Sequence, residues 1–190
     1  AMVEIRVVDE AMSDVPRDGR TVGEIVARAP WLTKAYLKDE AATTALWHGG
    51  YMHTGDVGRF DDQGSLMITD RVKDVIKSGG EWISSLTLED IASTVPGVAE
   101  VAAIGIPDPL WGERPMLLVV QGNPSKAAAS DQKNTIKKMI KMAFKEAYNA
   151  GIISKWATPD RIDMVDEIAK TSVGKIDKKR LRAQIIEAET

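Results

Sequence analysis

From Tyr51 to Ser85 the chain reads YMHTGDVGRFDDQGSLMITDRVKDVIKSGGEWISS, and the hydrophobic pattern before this stretch is unlike the pattern after it. The change falls at a charged link, Asp70-Arg71-Val72-Lys73-Asp74. Upstream, short segments alternate apolar and polar residues. Downstream, apolar runs are longer and one long amphipathic helix appears. Two patterns joined by a polar link predict two folding units rather than one continuous core. The expected class is α+β: a small β-rich subdomain over 1–70, a hinge at 71–73, and an α+β lid domain over 74–190.

In the upstream unit, residues 3–8 (VEIRVV) and Gly23 to Arg28 read as strands. Asp14 to Gly19 is a turn by its Pro and Gly chemistry, Trp31 to Tyr36 a loop, and Asp39 to Leu46 a short helix. Val57 to Thr69 predicts a β-hairpin with Gly64 at a position of positive φ. In the downstream unit, Ser84, Ser85 and Thr87 offer N-caps to a helix carrying Leu88, Ile91 and Val95. Glu100 to Ile106 is an apolar strand that Pro107-Asp108-Pro109 should break, and Met116 to Gln121 is its expected neighbour. Asn123 to Ser130 reads as a polar, Ala-rich loop. A helix from about Asp131 to Asn149 turns Ile136, Met139, Ile140, Ala143, Phe144 and Ala147 to one side, with Gly151 as its cap. Ile162 to Val165 is a third strand. A last helix, Asp177 to Glu189, should turn Leu181, Ile185 and Ile186 inward.

Composition narrows the function classes. Residues 1–70 hold 7 Lys/Arg against 12 Asp/Glu, and residues 71–190 hold 18 against 16, so neither part is basic enough to argue for nucleic acid. With no Cys and only His48 and His53, disulfides, thiolate catalysis and His/Cys metal sites are excluded or disfavoured. No apolar run reaches the ~20 residues of a membrane span, and no leader is visible at the start. A soluble, reducing, cytoplasmic setting is expected.

Several residues carry candidate chemistry, each with a plainer alternative. A carboxylate such as Asp56 can accept hydrogen bonds from both hydroxyls of a ribose, and Gly55 lets backbone approach a ligand; alternatively, Thr54-Gly55-Asp56 is an ordinary turn. Gly79 and Gly80 can leave a slot for an extended chain, or form a turn with Trp82 anchored in the core. Gly174-Lys175 invites a phosphate-loop reading that fails, because that motif needs Gly where Ala169 stands and Ser or Thr where Ile176 stands. Lys133, Lys137, Lys138, Lys141 and Lys145 read as a solvated helix face, the alternative being attraction of phosphates.

Taken together, TGD at Thr54 to Asp56, DRVKDV from Asp70, GGEW from Gly79 and KTSVGK from Lys170 to Lys175 resemble the adenylate-forming acyl-CoA synthetases, most of all the medium- and long-chain fatty-acyl-CoA ligases. The resemblance covers nearly the whole chain but only the last third or so of such an enzyme. It implies that a carboxylic acid and ATP give acyl-AMP, from which coenzyme A takes the acyl group. It assigns Asp56 and Arg71 to the ribose, Ile68 to the nucleotide's surroundings (or, more plainly, to the core), and Lys73 to the hinge (or to a solvated surface). Gly79, Gly80, Glu81 and Trp82 are implied to line the coenzyme A channel, and Lys175 to meet charge developing at the α-phosphate. The family usually has Pro where Ala169 stands, a departure that loosens the lysine loop without removing its charge. ATP, coenzyme A and Mg2+ are the implied cofactors, the Mg2+ ligands lying outside this chain. The implied partners are a fatty acid and an N-terminal domain carrying the phosphate loop and acyl pocket, so this length alone should be inactive. An adenylation domain that loads a carrier protein, and a non-catalytic nucleotide-binding or docking module, remain as alternatives.

Overall fold

The structure is a computed structural model that describes residues 2–122 and 129–188. The chain divides into two compact units, Ala1–Lys73 and Asp74–Thr190. Both mix strands and helices in the α+β manner.

The first unit is a four-stranded antiparallel sheet ordered β1-β2-β3-β4: β1 Glu4–Val8, β2 Gly23–Arg28, β3 Met52–Phe60 and β4 Leu66–Arg71. A short helix, α1 (Glu40–Leu46), lies between β2 and β3, with Asp39 capping it through Ala42 N at 2.9 Å. The β3–β4 hairpin is longer at both ends than the pattern predicts, because β3 also pairs with β2 from Met52 onward. At its tip Asp61 accepts from Gln63 N and Ser65 N, and Gly64 has φ 83°. Val8, Val26 and Tyr51 form a small core. Ile68 is no part of it: its side chain is 64% exposed, which overturns the core alternative for that residue.

The second unit is a five-stranded sheet: β5 Ile76–Ser78, β6 Glu81–Ile83, β7 Val98–Asp108, β8 Gly112–Gln121 and β9 Arg161–Val165. Its path is β6-β5-β8-β7, and β9 runs parallel to β8. The helices are α2 Ser85–Ser93, α3 Ala129–Asn149 and α4 Lys178–Ala188. Helices cover both faces of the sheet, so the central strands alternate between two cores. Val101, Ala103, Leu117 and Val119 pack with Leu88 of α2 and with Ile136, Ile140 and Phe144 of α3. Ala102, Ile104, Met116 and Leu118 pack with Ile168 and with Leu181 of α4. Burial on both faces is why these strands read as unbroken apolar runs.

Some boundaries differ from the sequence reading. β7 runs through Pro107 to Asp108, since an edge strand tolerates a residue without an N–H. Only Ser84 caps α2, through Thr87 N; Ser85 and Thr87 lie inside the helix. Glu81 and Trp82 belong to β6, and Trp82 is half-buried rather than anchored in the core. Ile186 is 44% exposed and points away from the core that holds Leu181, because the inward stripe of α4 runs through Leu181 and Ile185. Of the Ala-rich loop expected over 123–130, residues 123–128 lie outside the described residues and α3 has begun by Ala129; residue 189, expected in the last helix, is also outside them. The α3 terminus closes with Ile152 N donating to Ala147 O and Gly151 N to Tyr148 O, each at 2.9 Å, a Schellman arrangement around Gly151.

Candidate functional site

In the first unit, strand pairing brings two of the singled-out residues together. Asp56 of β3 and Arg71 of β4 are register partners, and Arg71 Nη1 donates to Asp56 Oδ1 at 2.6 Å. Thr54-Gly55-Asp56 is not a turn but a stretch of β3 where the register with β2 shifts, with Gly55 at φ 72°, and it is held from both sides. Thr54 Oγ1 donates to Ile25 O at 2.6 Å, Asp56 N donates to Thr54 Oγ1 at 3.1 Å, and Gly55 O accepts from Val72 N at 2.9 Å. Both charged side chains stay partly exposed, Arg71 at 55% and Asp56 at 29%, so the pair contributes about 0–1 kcal/mol to stability. Its effect is to orient a carboxylate and a cation at one strand end, an arrangement suited to a polar ligand. Lys73 is exposed and is the last residue of the first unit.

In the second unit, Gly79 and Gly80 are the two-residue turn between β5 and β6, with φ of 60° and 82°. Positive φ at both positions is the signature of a type I′ hairpin, which glycine adopts without strain. The turn is tight and well supported. Gly79 N donates to Trp111 O at 3.0 Å, and a Cβ at Gly79 would lie 3.0 Å from the Trp156 ring. The Trp111 and Trp156 rings meet at 4.3 Å. Glu113 accepts from Lys77 N at 2.9 Å, and the Lys77 ammonium lies 4.7 Å from the centroid of the Trp82 ring.

Beneath this turn sits Arg114, its side chain 11% exposed. Its guanidinium grips Asp160 through Nε at 2.6 Å and Nη2 at 2.9 Å, and also donates to Ser78 Oγ, Trp156 O and Thr158 O. The bond to Arg114 holds the Asp160 carboxyl below its ordinary range, against a burial effect of opposite sign. The sequence pattern around Arg114 points to no role for it. No local signal reveals one, because every partner of Arg114 is 36 or more residues away in sequence.

Lys175 lies on a small hairpin closed by a bridge between Lys170 and Ile176. Thr171 N donates to Lys175 O at 2.7 Å, Gly174 N to Thr171 O at 2.9 Å, and Asp177 N to Ala169 O at 2.8 Å. Gly174, at φ 80°, makes the turn. Lys175 is exposed, and its ammonium has no hydrogen-bond or ion-pair partner among the described residues. An open cleft of about 680 Å³ lies beside the hairpin base, lined by Glu100, Val120, Glu167, Lys170 and Arg180 among others, but not by Lys175.

Strand β8 relates the two features. The Gly79-Gly80 turn leaves β5 at the Ser78–Gly112 pairing, at the start of β8. The lysine hairpin follows β9, which pairs with β8 up to Val120, and Lys170 bonds Glu100, itself the register partner of Val120. The two roots therefore sit at opposite ends of β8, about 26 Å apart at the usual rise per residue. Among the described residues no group of His, Asp or Glu side chains is placed to hold a metal ion, and no helix is long and apolar enough to cross a membrane.

Residues 87–175 match the family described as the AMP-binding enzyme C-terminal domain, and the match ends on Lys175. This stretch is an AMP-binding enzyme C-terminal domain. The long-chain-fatty-acid–CoA ligase of Thermus thermophilus is 40% identical over 96% of this chain, and the 3-methylmercaptopropionyl-CoA ligase of Ruegeria lacuscaerulensis is 38% identical over 99%. Among solved structures, the amide bond synthetase McbA from Marinactinospora thermotolerans superposes with a TM-score of 0.71 and 28% identity, over 96% of this chain and 34% of its own. The chain spans about a third (32%) of the length of both ligases. The AMP-binding C-terminal domain match takes in Arg114 and Lys175; Asp56, Arg71 and the Gly79-Gly80 turn precede it.

Proposed function

We propose that this chain is the C-terminal part of an ATP-dependent acyl-CoA synthetase acting on a fatty acid or a related carboxylic acid, in cytoplasmic lipid metabolism. The observation that carries the reading is Lys175: an exposed ammonium on a braced hairpin, at the end of an AMP-binding C-terminal domain, in a chain 40% identical to a long-chain ligase. In the first step a carboxylate oxygen attacks the α-phosphorus of ATP and the bond to pyrophosphate breaks, leaving acyl-AMP. Lys175 meets the charge that builds on the phosphoryl oxygens. In the second step the coenzyme A sulfur attacks the acyl carbon, the bond to AMP breaks, and the thiol proton passes to solvent. The anhydride formed first makes the second step easy. Asp56 accepts from the ribose hydroxyls while Arg71 keeps its carboxylate oriented, and Ile68, exposed on β4, offers apolar surface beside the nucleotide. Lys73 serves as the hinge. Gly79, Gly80, Glu81 and Trp82 border the path of the pantetheine arm. ATP and coenzyme A enter as substrates, and Mg2+ is held by residues of the portion that carries the phosphate loop.

The test is to join this chain to the acid-binding portion of the Thermus thermophilus ligase and follow each product. Pyrophosphate release that depends on a fatty acid, and AMP release that depends on coenzyme A, are expected; the chain by itself should give neither. The likeness to an amide bond synthetase supports a second reading in which an amine takes the acyl group. AMP release with an amine, or with a carrier-protein thiol, and none with coenzyme A would favour a different acceptor. Nucleotide binding with no turnover in the joined enzyme would leave a binding module.

A further inference from the structure

We propose that Lys178 is a positioning residue for Lys175: a buried ion pair between Lys178 and Glu89 fastens the base of the lysine hairpin to the domain core. The inference rests on the reading of Lys175 given above. Lys178 is the first residue of α4, three positions beyond Lys175, and is only 7% exposed, whereas Lys179 and Arg180 beside it are exposed. Its ammonium donates to Ser85 Oγ at 2.6 Å and meets Glu89 Oε1 at 2.7 Å. Ser85 and Glu89 belong to α2, and Glu89 Oε1 also accepts from Ala103 N of β7 at 2.9 Å. One carboxylate thus joins α4, α2 and the sheet.

The hairpin is tied to this point through the backbone. Asp177 N donates to Ala169 O, and Asp177 caps α4 through Arg180 N at 3.0 Å, so the residue before Lys178 closes the hairpin and opens the helix. The hairpin is attached as well by the Lys170–Glu100 pair, 44% and 41% exposed, which water weakens, and by Ala169 and Ile176, which pack half-buried against the core of Ile168 and Leu181. Leu181 packs α4 against the sheet, but apolar packing is non-directional. A buried pair is not needed for stability, since apolar residues of similar volume serve as well. What it supplies is a single register for α4 against α2. Misplacing a transition-state cation by about 1 Å costs on the order of a hundredfold in rate.

The test uses Lys178→Met together with Glu89→Gln. The glutamine oxygen still accepts from Ala103 N, so the tether is lost without stranding a buried charge. Lys178→Met alone, which does strand one, is the harsher companion. In the 190-residue chain, amide exchange at Thr171, Gly174 and Asp177 should quicken about tenfold or more in the double variant, while Leu117 and Val119 keep their protection. Unchanged exchange at the hairpin, or equal loss in β8, overturns the proposal. In the joined enzyme the double variant should slow acyl-AMP formation about a hundredfold and leave thioester formation from supplied acyl-AMP near its original rate. Equal loss in both steps, or no loss in the first, also overturns it. Lys175→Ala run alongside separates the two ideas: if that change spares acyl-AMP formation, the reading of Lys175 fails, whereas the exchange result bears on the tether alone.

Discussion

Asp56 and Arg71 stand opposite each other across β3 and β4, fifteen residues apart in sequence and joined by a 2.6 Å hydrogen bond from Nη1 to Oδ1. Because the pair is partly exposed, it orients more than it stabilises. In the joined enzyme, Asp56→Ala should raise the KM for ATP by roughly tenfold or more, the loss of one charge-assisted hydrogen bond of about 1.5–3 kcal/mol. The same change should leave the unfolding free energy of the chain within about 1 kcal/mol of the original. An unaltered KM would leave Asp56 a structural residue of β3 with no part in binding ATP.

Arg114 should behave in the opposite way, mattering to stability first. Arg114→Met removes a buried cation that satisfies Ser78, Trp156, Thr158 and Asp160 together, and should lower unfolding stability by about 3 kcal/mol in urea titrations. Arg114→Lys should recover little, because an ammonium cannot reproduce the fork that grips Asp160. Full recovery by lysine would show that only charge matters there.

Acid should loosen the turn held by Asp18 only well below the ordinary carboxylate range. Asp18 accepts from Arg20 N, Thr21 N and Thr21 Oγ1, and these bonds lower its pKa from 3.8 to about 2. A lowered carboxyl contributes its stabilisation above the unfolded value and loses it as pH falls through the folded one. The ordering of residues 18–21 should therefore persist below pH 3.8 and fail near pH 2, which a carbon-detected titration of the Asp18 carboxyl reads directly. Asp160, lowered by Arg114, should likewise titrate below 3.8, and in Arg114→Met its midpoint should rise. A midpoint near 3.8 for Asp18 would mean that the turn is not held in solution.

The separation of the Gly79-Gly80 turn and the lysine hairpin along β8 predicts a split between the half-reactions. Lys175→Ala should slow acyl-AMP formation on the order of a hundredfold or more while thioester formation from supplied acyl-AMP survives. A bulky residue at Gly80, where a Cβ meets nothing within 4 Å, should leave the fold intact apart from about 1–2 kcal/mol of strain at φ 82° and obstruct the thiol step alone. Single-turnover assays of each step decide the matter. Equal impairment by Lys175→Ala of both steps would make Lys175 structural and the alternation wrong.

The sequence by itself determined what is local. Period and turn chemistry located most elements (β5 and β6 apart), the break in pattern after Asp70, the amphipathic face of α3, and the positive φ of Gly64 at the hairpin tip. These follow from backbone sterics and side-chain spacing within a few residues. The motif residues Asp56, Arg71 and Lys175 were visible because each stands in a short pattern. Tertiary structure alone decided which of two identical-looking charges is buried. Lys178 and Lys179 are adjacent lysines, and nothing nearby in sequence says that one meets Glu89 inside the core while the other faces water. Arg114 is the same case, its partners arriving from β5 and from the segment before β9. It also decided that Ile68 is exposed and that Pro107 stays in a strand, since both depend on where the sheet ends. Burial and charge pairing are set by residues far apart in sequence, and only the assembled sheet and helices bring those residues within reach of one another.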